Sequence, residues 1–306
     1  MPGRDDFDGD DRPRRRQWDD DDRPPRRENA DARQRPARPQ QSNTGPMVLV
    51  LVVVFLVICG GVGGVAFWAI RTAKQEVAQF QAAMIAEDRE AEAENTTADL
   101  EEIAKAIRAY EATHRTLPNN TYDEQGQPLL SWRVHILPFL GDDDAVSLYR
   151  DFHLNEPWDS PHNSPLVDRM PYRYESSDRR APLNTTYYRG FSHAGAIFEK
   201  PASGKQPRKI NLADGIPDGV SNTILIIEAG EPVEWSRPDD LDWPVGKPRP
   251  NLGGVNPQRP YIIAVMADGR SRKIRSDVPD QSLRLLIGRD DGQPVPFGWE
   301  HFGPRR

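Results

Sequence analysis

Four side chains of the kinds that bind metals or transfer protons recur at every third position near the middle of this 306-residue chain. They are His153, Glu156, Asp159 and His162, within the stretch YRDFHLNEPWDSPHNSPLVDRMPYRY. On one continuous helix this spacing would place them on a slowly drifting face, as in a metal site or an acid/base pair. Pro157 and Pro161 interrupt any such helix. Metal site, acid/base pair and structural loop all remain open, and the turn residues favour the structural loop.

A second candidate site is the sequence ADGIPDGVSN, residues 213–222. Asp214, Asp218 and Asn222 offer oxygen ligands among glycines that allow a tight turn, as a calcium loop requires. Glu228 is a conceivable further ligand. The EF-hand pattern of alternating acidic residues and a final glutamate is missing. The alternative, which the pattern favours, is a pair of Asp-Gly turns that lead into a strand.

The sequence predicts no catalytic residues and no enzyme. It contains no nucleophile elbow, P-loop or zincin motif, and no dinucleotide fingerprint after a strand. Its single cysteine, Cys59, lies in an apolar run, which excludes a disulfide framework and a cysteine zinc site. Four tryptophans invite two interpretations, a sugar-binding groove or anchors of the core, and tryptophan in general favours the second. They are Trp132, Trp158, Trp235 and Trp243.

Charge is distributed unevenly along the chain. Residues 1–46 hold 11 Arg and 11 acidic residues, residues 47–70 hold no charge, and the net charge of −7 therefore falls on residues 71–306. A net acidic folded part argues against nucleic acid as a partner. The first segment is rich in Arg, Asp and Pro and poor in aliphatic residues, so we predict a disordered tail over 1–46.

The uncharged run of 24 residues at 47–70 predicts a membrane-spanning helix. At about 1.5 Å per residue, it would cover roughly 36 Å, enough for a hydrocarbon core of about 30 Å. Basic residues are slightly more frequent before the run than after it, which predicts a cytoplasmic N-terminus and an extracytoplasmic, periplasmic C-terminal domain. Gly60 and Gly64 have the GxxxG spacing that favours helix pairing, and hence a homo-oligomer.

The rest of the chain predicts an α+β domain. Residues 71–97 are rich in Ala, Glu and Gln and predict a helical stalk, after which NTT at 95–97 supplies caps for a new amphipathic helix ending near THRTLP. Short helices are predicted at 131–140, 144–152 and 281–287, and strands at 186–191, 222–229 and 261–274, the last with a turn at Asp268-Gly269. We expect one amphipathic helix to pack on an antiparallel sheet, with long irregular loops.

Six sequence blocks occur in the order found in the planctomycete family known as domain of unknown function 1559. They are LEEIAKAIRAYEATHRTLP, SWRVHILPFL, LYRDFHLNEPWDSPHNSPL, DGVSNTILIIEA, VEWSRPDDL and MADGRSRKI, within about residues 98–290. The chain resembles this family, which implies a fold like that of type IV pilins or pseudopilins. Some pseudopilins bind calcium in loops, so the resemblance also bears on Asp214, Asp218 and Asn222.

Two departures from the family pattern change what the resemblance implies. The usual leader ends in Gly followed by FTLIE, whereas Gly45 is followed here by PMVLVLVV without a glutamate. Gln258 stands where the family's H-x9-D-G motif has its histidine. These departures favour a permanently anchored envelope protein over a processed filament subunit.

The predicted organisation is therefore a tail (1–46), a transmembrane helix (47–70), a stalk (71–97), a pilin-like ectodomain (98–290) and a C-terminal tail (291–306). The predicted function is non-enzymatic, structural or interacting with other envelope proteins, in a single-pass protein of the cytoplasmic membrane. A solute-binding or sensory ectodomain for calcium or a sugar is the alternative.

Overall fold

The computed structural model describes residues 50–51, 63–176, 181–201, 205, 207–254 and 259–302. The predicted tail at 1–46, most of the predicted membrane span, and Gln258 lie outside these residues. The chain divides into two compact units, residues 1–77 and 78–306, and the contacts below belong to the second. Within the described part of the chain, no helix is both long and apolar enough to cross a membrane.

One long helix, α1, runs from Gly63–His114 without interruption. The prediction that a new helix begins at 95–97 is therefore wrong. Thr97 does not cap a helix; its Oγ1 donates to the carbonyl of Ala93, 2.7 Å away, a bond that a threonine inside a helix makes to the preceding turn. The predicted apolar face of this segment is confirmed, because Leu100, Ile103 and Ile107 are fully buried.

Four antiparallel strands form a sheet in the order β1-β2-β3-β4. They are β1 (Thr185–Arg189), β2 (Ile224–Glu234), β3 (Tyr261–Met266) and β4 (Ser271–Arg275). All three predicted strand regions are confirmed, and Gly269 has the positive φ of 83° that the predicted turn needs. Irregular pairing interrupts β2 twice, between Ile224 and Ile226 and opposite Thr186–Tyr188.

Both faces of the sheet are buried. One face packs on the first core cluster, which includes Leu100, Ile103 and Ile263. The other packs on a second cluster, which includes Trp243, Ile262 and Leu286. The prediction of a single helix on a sheet was therefore incomplete. The second face is covered by the helix α4 (Asp280–Ile287) together with the segment that contains Trp243.

Short helices occupy the connection between α1 and the sheet. They are α2 (Trp132–His135), α3 (Asp143–Asp151) and three 3₁₀ turns at Leu137–Phe139, Ser164–Arg169 and Tyr172–Tyr174. The helical predictions for 131–140, 144–152 and 281–287 are thus confirmed within one or two residues. An acidic N-cap, Asp142, accepts from the backbone of Asp144 at 3.0 Å and begins α3.

Residues 299–301 return to the sheet. The backbone of Arg275 donates to the carbonyl of Trp299 at 2.9 Å, and that of His301 donates to the carbonyl of Lys273 at 2.7 Å. The segment predicted as a C-terminal tail from residue 291 thus pairs with β4 along part of its length, which covers hydrogen-bonding groups of an edge strand.

Candidate functional site

The stretch that contains His153 and His162 is a loop organised by one buried side chain, Asn163. Its Nδ2 donates to the carbonyls of His153, Glu156 and Pro157 at 3.0, 3.2 and 3.0 Å, and its Oδ1 accepts from the backbone of His153 at 2.9 Å. The side chain thus satisfies backbone groups on both sides of the loop. Removing it would leave several of them without partners.

The predicted metal or acid/base residues of this loop meet only in part. His153 and His162 stack with ring centroids 3.4 Å apart, and His153 Nδ1 lies 2.8 Å from Glu156 Oε1. This contact lowers the pKa of Glu156. His162 Nε2 is turned away to the carbonyl of Asp151 at 2.8 Å. Glu156 Oε2 also accepts from Ser160 Oγ at 2.8 Å, whereas Asp159 is exposed. These local contacts favour the structural interpretation.

The predicted calcium residues lie in turns whose polar groups hydrogen-bond to the protein itself. Both carboxylate oxygens of Asp218 accept backbone bonds, from Asp291 at 2.7 Å and Gly292 at 2.9 Å. Asn222 Nδ2 donates to the carbonyl of Asp218 at 3.1 Å, and Asp214 is exposed. In the described residues no cluster of three or more His, Cys, Asp or Glu has metal-binding geometry. Calcium binding at Asp214, Asp218 and Asn222 stays a prediction.

Three of the four tryptophans lie in the core. Trp132, Trp235 and Trp243 have no exposed area, which agrees with their interpretation as anchors. Trp158 is half-buried, and its backbone donates to the carbonyl of Leu129 at 2.8 Å. These positions leave no shared groove along the four rings for a sugar to occupy.

A buried polar network that the sequence did not predict surrounds Arg133 and Asp240. Both side chains have no exposed area, and Arg133 Nη2 lies 3.6 Å from Asp240 Oδ1. Arg133 donates through Nε and Nη2 to the carbonyl of Tyr188, at 3.0 and 2.6 Å. Asp240 accepts from Asn120 Nδ2 at 2.7 Å and from Trp132 Nε1 at 3.2 Å. Since its groups are satisfied by one another, this network holds α2 to the sheet and is structural.

A cavity of about 290 Å³ lies at one end of the sheet, and we name it the arginine cavity. Its wall includes Arg249, Leu252, Arg259, Tyr261, Ile262 and Ser276. Among the described residues, two arginines line it and no acidic residue does. A cavity with cationic groups and an apolar wall is a candidate for binding a small anion.

Arg259 is the most unusual residue of the arginine cavity. Its side chain is 3 % exposed, and its Nη2 donates to Glu228 and, at 3.1 Å, to the carbonyl of Gly253. Its Nε and Nη1 have no hydrogen-bond partner within the described part of the chain. Burial raises the pKa of Glu228, and the adjacent Arg259 opposes that shift. Glu228, considered above as a calcium ligand, is therefore engaged with an arginine.

Neighbouring charges hold Tyr261 in the wall of the cavity. Its hydroxyl donates to Glu90 Oε2 at 3.1 Å, and Lys273 Nζ lies 2.9 Å from Glu90 Oε1 and 4.5 Å from the Tyr261 ring centroid. The hydrogen bond from Lys273 lowers the pKa of Glu90. This set of contacts joins α1 to β3 and β4 beside the cavity.

A comparison with known families identifies part of the chain. Residues 93–192 match the family described as protein of unknown function (DUF1559). The resemblance inferred from the sequence is confirmed over this segment, which extends from α1 to just beyond β1. It contains Arg133 and the Asn163 loop, whereas the arginine cavity lies beyond it. Comparisons with curated proteins and with solved structures gave no significant match.

Sequence reasoning missed both arginine sites because their members are far apart along the chain. The burial of Arg133 could have been predicted, since this charged residue lies inside the mostly apolar block SWRVHILPFL. Arg259 directly follows Gln258 and precedes Pro260, in a segment without regular spacing. Its burial beside Glu228 follows only from the pairing of β2 with β3.

Proposed function

We propose that this chain is a non-enzymatic, membrane-anchored protein of the cell envelope. Its α+β domain lies on the extracytoplasmic side of the cytoplasmic membrane and has a structural or protein-interaction role. The observation that carries this proposal is the uncharged run at 47–70, long enough for one span. Helix α1 includes residues 63–70 of that run and continues to His114, which supports the view that one helix links anchor and domain.

The proposal of a pilin-like fold is supported by the long helix α1, whose C-terminal part packs on an antiparallel sheet. The sequence around Gly45 and Pro46 lacks the glutamate of prepilin leaders. We therefore favour a permanent anchor with a cytoplasmic N-terminal tail over a cleaved filament subunit.

An interaction role is supported by the surface of α1. Residues 78–92 are exposed apart from positions 89 and 92, and Phe80 and Ile85 are 54 % and 51 % exposed. Other envelope proteins are the proposed partners. Helix pairing through Gly60 and Gly64 is the proposed route to a homo-oligomer. The acidic charge of residues 71–306 argues against a nucleic-acid partner.

Protease treatment of spheroplasts tests the anchoring and its orientation. The full-length chain carries different epitope tags at its two ends, and trypsin is added before and after the membrane is permeabilised. We expect loss of the C-terminal tag in intact spheroplasts, with retention of the N-terminal tag until permeabilisation. Extraction of the chain by alkaline carbonate, or protection of the C-terminal tag, would contradict the proposal.

The intact mass of the membrane-extracted chain separates an anchor from a filament subunit. A mass matching all 306 residues supports the permanent anchor. Loss of residues 1–45 would show prepilin-type processing and favour the filament subunit.

A solute-binding ectodomain is the second candidate function, and the arginine cavity is the observation that favours it. Calcium at Asp214, Asp218 and Asn222 would be a different site on the same domain. A calcium-dependent rise in the melting temperature of the full-length chain, abolished by Asp218→Asn, would support that site, because a ligand that binds only the folded state stabilises it.

A further inference from the structure

The arginine cavity combines a concave space that is partly open to solvent with an excess of hydrogen-bond donors. Arg259 offers the N–H groups of Nε and Nη1, which are unpartnered among the described residues. A guanidinium carries five N–H donors and no acceptor, so these groups require an oxygen. A buried donor without a partner is costly, and a ligand oxygen that reaches it recovers that cost.

Arg249 supplies a second cation to the same wall. Its Nη1 donates to the carbonyl of Val278 at 2.9 Å, and Asp280 Oδ1 lies 3.7 Å away. The Arg249 side chain is 21 % exposed, whereas that of Asp280 is 59 % exposed. The screened aspartate therefore neutralises Arg249 only weakly.

The charges around the cavity select for a ligand with a single negative charge. Arg259 is already paired on one side with Glu228, so the charge left for a ligand is close to that of one arginine. A dianion would also meet repulsion from the buried Glu228 carboxylate. A monoanion matches the remaining charge better.

The wall also indicates the rest of the ligand. Pro250, Leu252 and Ile262 offer apolar surface next to the two guanidinium groups. The volume of about 290 Å³ is at the lower limit for small-molecule pockets. A carboxylate with a short aliphatic chain has the right size, charge and polarity.

We propose that the arginine cavity binds a small organic monocarboxylate, whose oxygens accept hydrogen bonds from Arg249 and Arg259 and whose aliphatic part contacts Leu252 and Ile262. Binding at this site does not depend on membrane anchoring, so the proposal can be tested separately from the proposed envelope role. A ligand of about five heavy atoms is expected to bind in the micromolar to millimolar range.

Titration of the full-length chain with sodium propionate tests the proposal, at ionic strength kept constant with sodium chloride. Melting temperature and saturation-transfer NMR of the propionate protons are recorded together, and sodium phosphate is the comparison anion. Arg249→Gln removes a charged donor from the wall, and binding is expected to weaken at least tenfold. Arg272→Gln is the matched control, because Arg272 is similarly exposed at 26 % and does not line the cavity.

Saturable propionate binding in the wild type and the control variant, weakened in Arg249→Gln, supports the proposal. Equal effects in all three proteins would show a general salt effect and overturn it. A response to phosphate without one to propionate would overturn the carboxylate assignment. Should Arg249→Gln fail to fold, as judged by circular dichroism, the wild-type NMR titration decides, since absence of saturation transfer overturns the site.

Discussion

Replacing Asp240 by asparagine is expected to lower the free energy of unfolding by about 4 kcal/mol, because it leaves Arg133 buried without its countercharge. The two side chains lie 3.6 Å apart and have no exposed area. Breaking a buried ion pair by removing one partner typically costs about 3–5 kcal/mol. The substitution keeps the shape of the side chain, so packing changes contribute little.

An amide at position 240 cannot restore the hydrogen bonds of the carboxylate. Oδ1 of Asp240 accepts from Trp132 Nε1 at 3.2 Å and from the backbone of Gly190 at 3.0 Å, while Oδ2 accepts from Asn120 Nδ2 at 2.7 Å. In either orientation the new NH₂ group faces a donor. Rotating the Asn120 amide does not help, because its Oδ1 already accepts from the backbone of Trp132 at 3.0 Å.

Urea unfolding followed by tryptophan fluorescence measures this loss. Thermal unfolding measures it a second way. In a domain of 150–250 residues, each kcal/mol of lost stability lowers Tm by roughly 2–4 °C, so a Tm decrease of about 8–16 °C is expected. Asp239→Asn is the control, because that carboxylate is 40 % exposed and pairs with Arg189 and Arg237. It is expected to lose no more than about 1 kcal/mol. Equal losses in the two variants would refute the assignment of a buried, charge-balanced network.

Three further substitutions test the packing, the loop and the pH dependence by urea unfolding. Gly190→Ala is expected to cost about 1–3 kcal/mol, because its Cβ would overlap the ring of Phe198. Asn163→Ala is expected to cost about 2–4 kcal/mol, since it leaves backbone groups of the loop unpaired. Burial raises the pKa of Asp99 from 3.8 to about 6, against the opposing effect of Arg173. The native state then binds more protons than the unfolded state between these pH values, so wild-type stability falls as pH rises through 6. Relative to the wild type, Asp99→Asn should gain up to about 3 kcal/mol between pH 4 and pH 7.

Each of these predictions has an outcome that contradicts its reasoning. A Gly190→Ala variant as stable as the wild type would mean that Phe198 has room to move. A Glu156→Gln variant that loses as much stability as Asn163→Ala would show that the exposed Glu156 carboxylate stabilises the loop as much as the buried Asn163 amide does. The Asp99→Asn variant could instead become less stable relative to the wild type as pH rises. That result would show that the ion pair with Arg173 has a larger effect on the pKa of Asp99 than burial has.

The sequence predicted those elements whose signals are local. The β-branched run YIIAVMADGRSRKI contains its own turn, and β3 and β4 follow it closely. The capping signal at 95–97 does not begin a new helix. The Thr97 hydroxyl hydrogen-bonds to the preceding turn, and the same helix continues to the buried residues Leu100 and Ile103. The prolines correctly predicted that the His153 segment is a loop of turns and not one continuous helix. Its organising residue, Asn163, has no local signal that distinguishes it from the other turn-forming residues of the stretch.

The two arginine sites show what local signals cannot provide. A buried charge is stable only beside partners that the fold supplies, and no spacing rule connects Arg133 to Asp240 or Arg259 to Glu228. The same contacts indicate that the matched segment is not a self-contained unit. Arg133 lies inside residues 93–192, but its countercharge, Asp240, lies beyond them. Ile103 of the same segment packs in one cluster with Ile263 of β3. The buried polar groups of the DUF1559 segment therefore depend on the later strands. The same strands carry Glu228, the partner of Arg259, and Tyr261, which lines the arginine cavity.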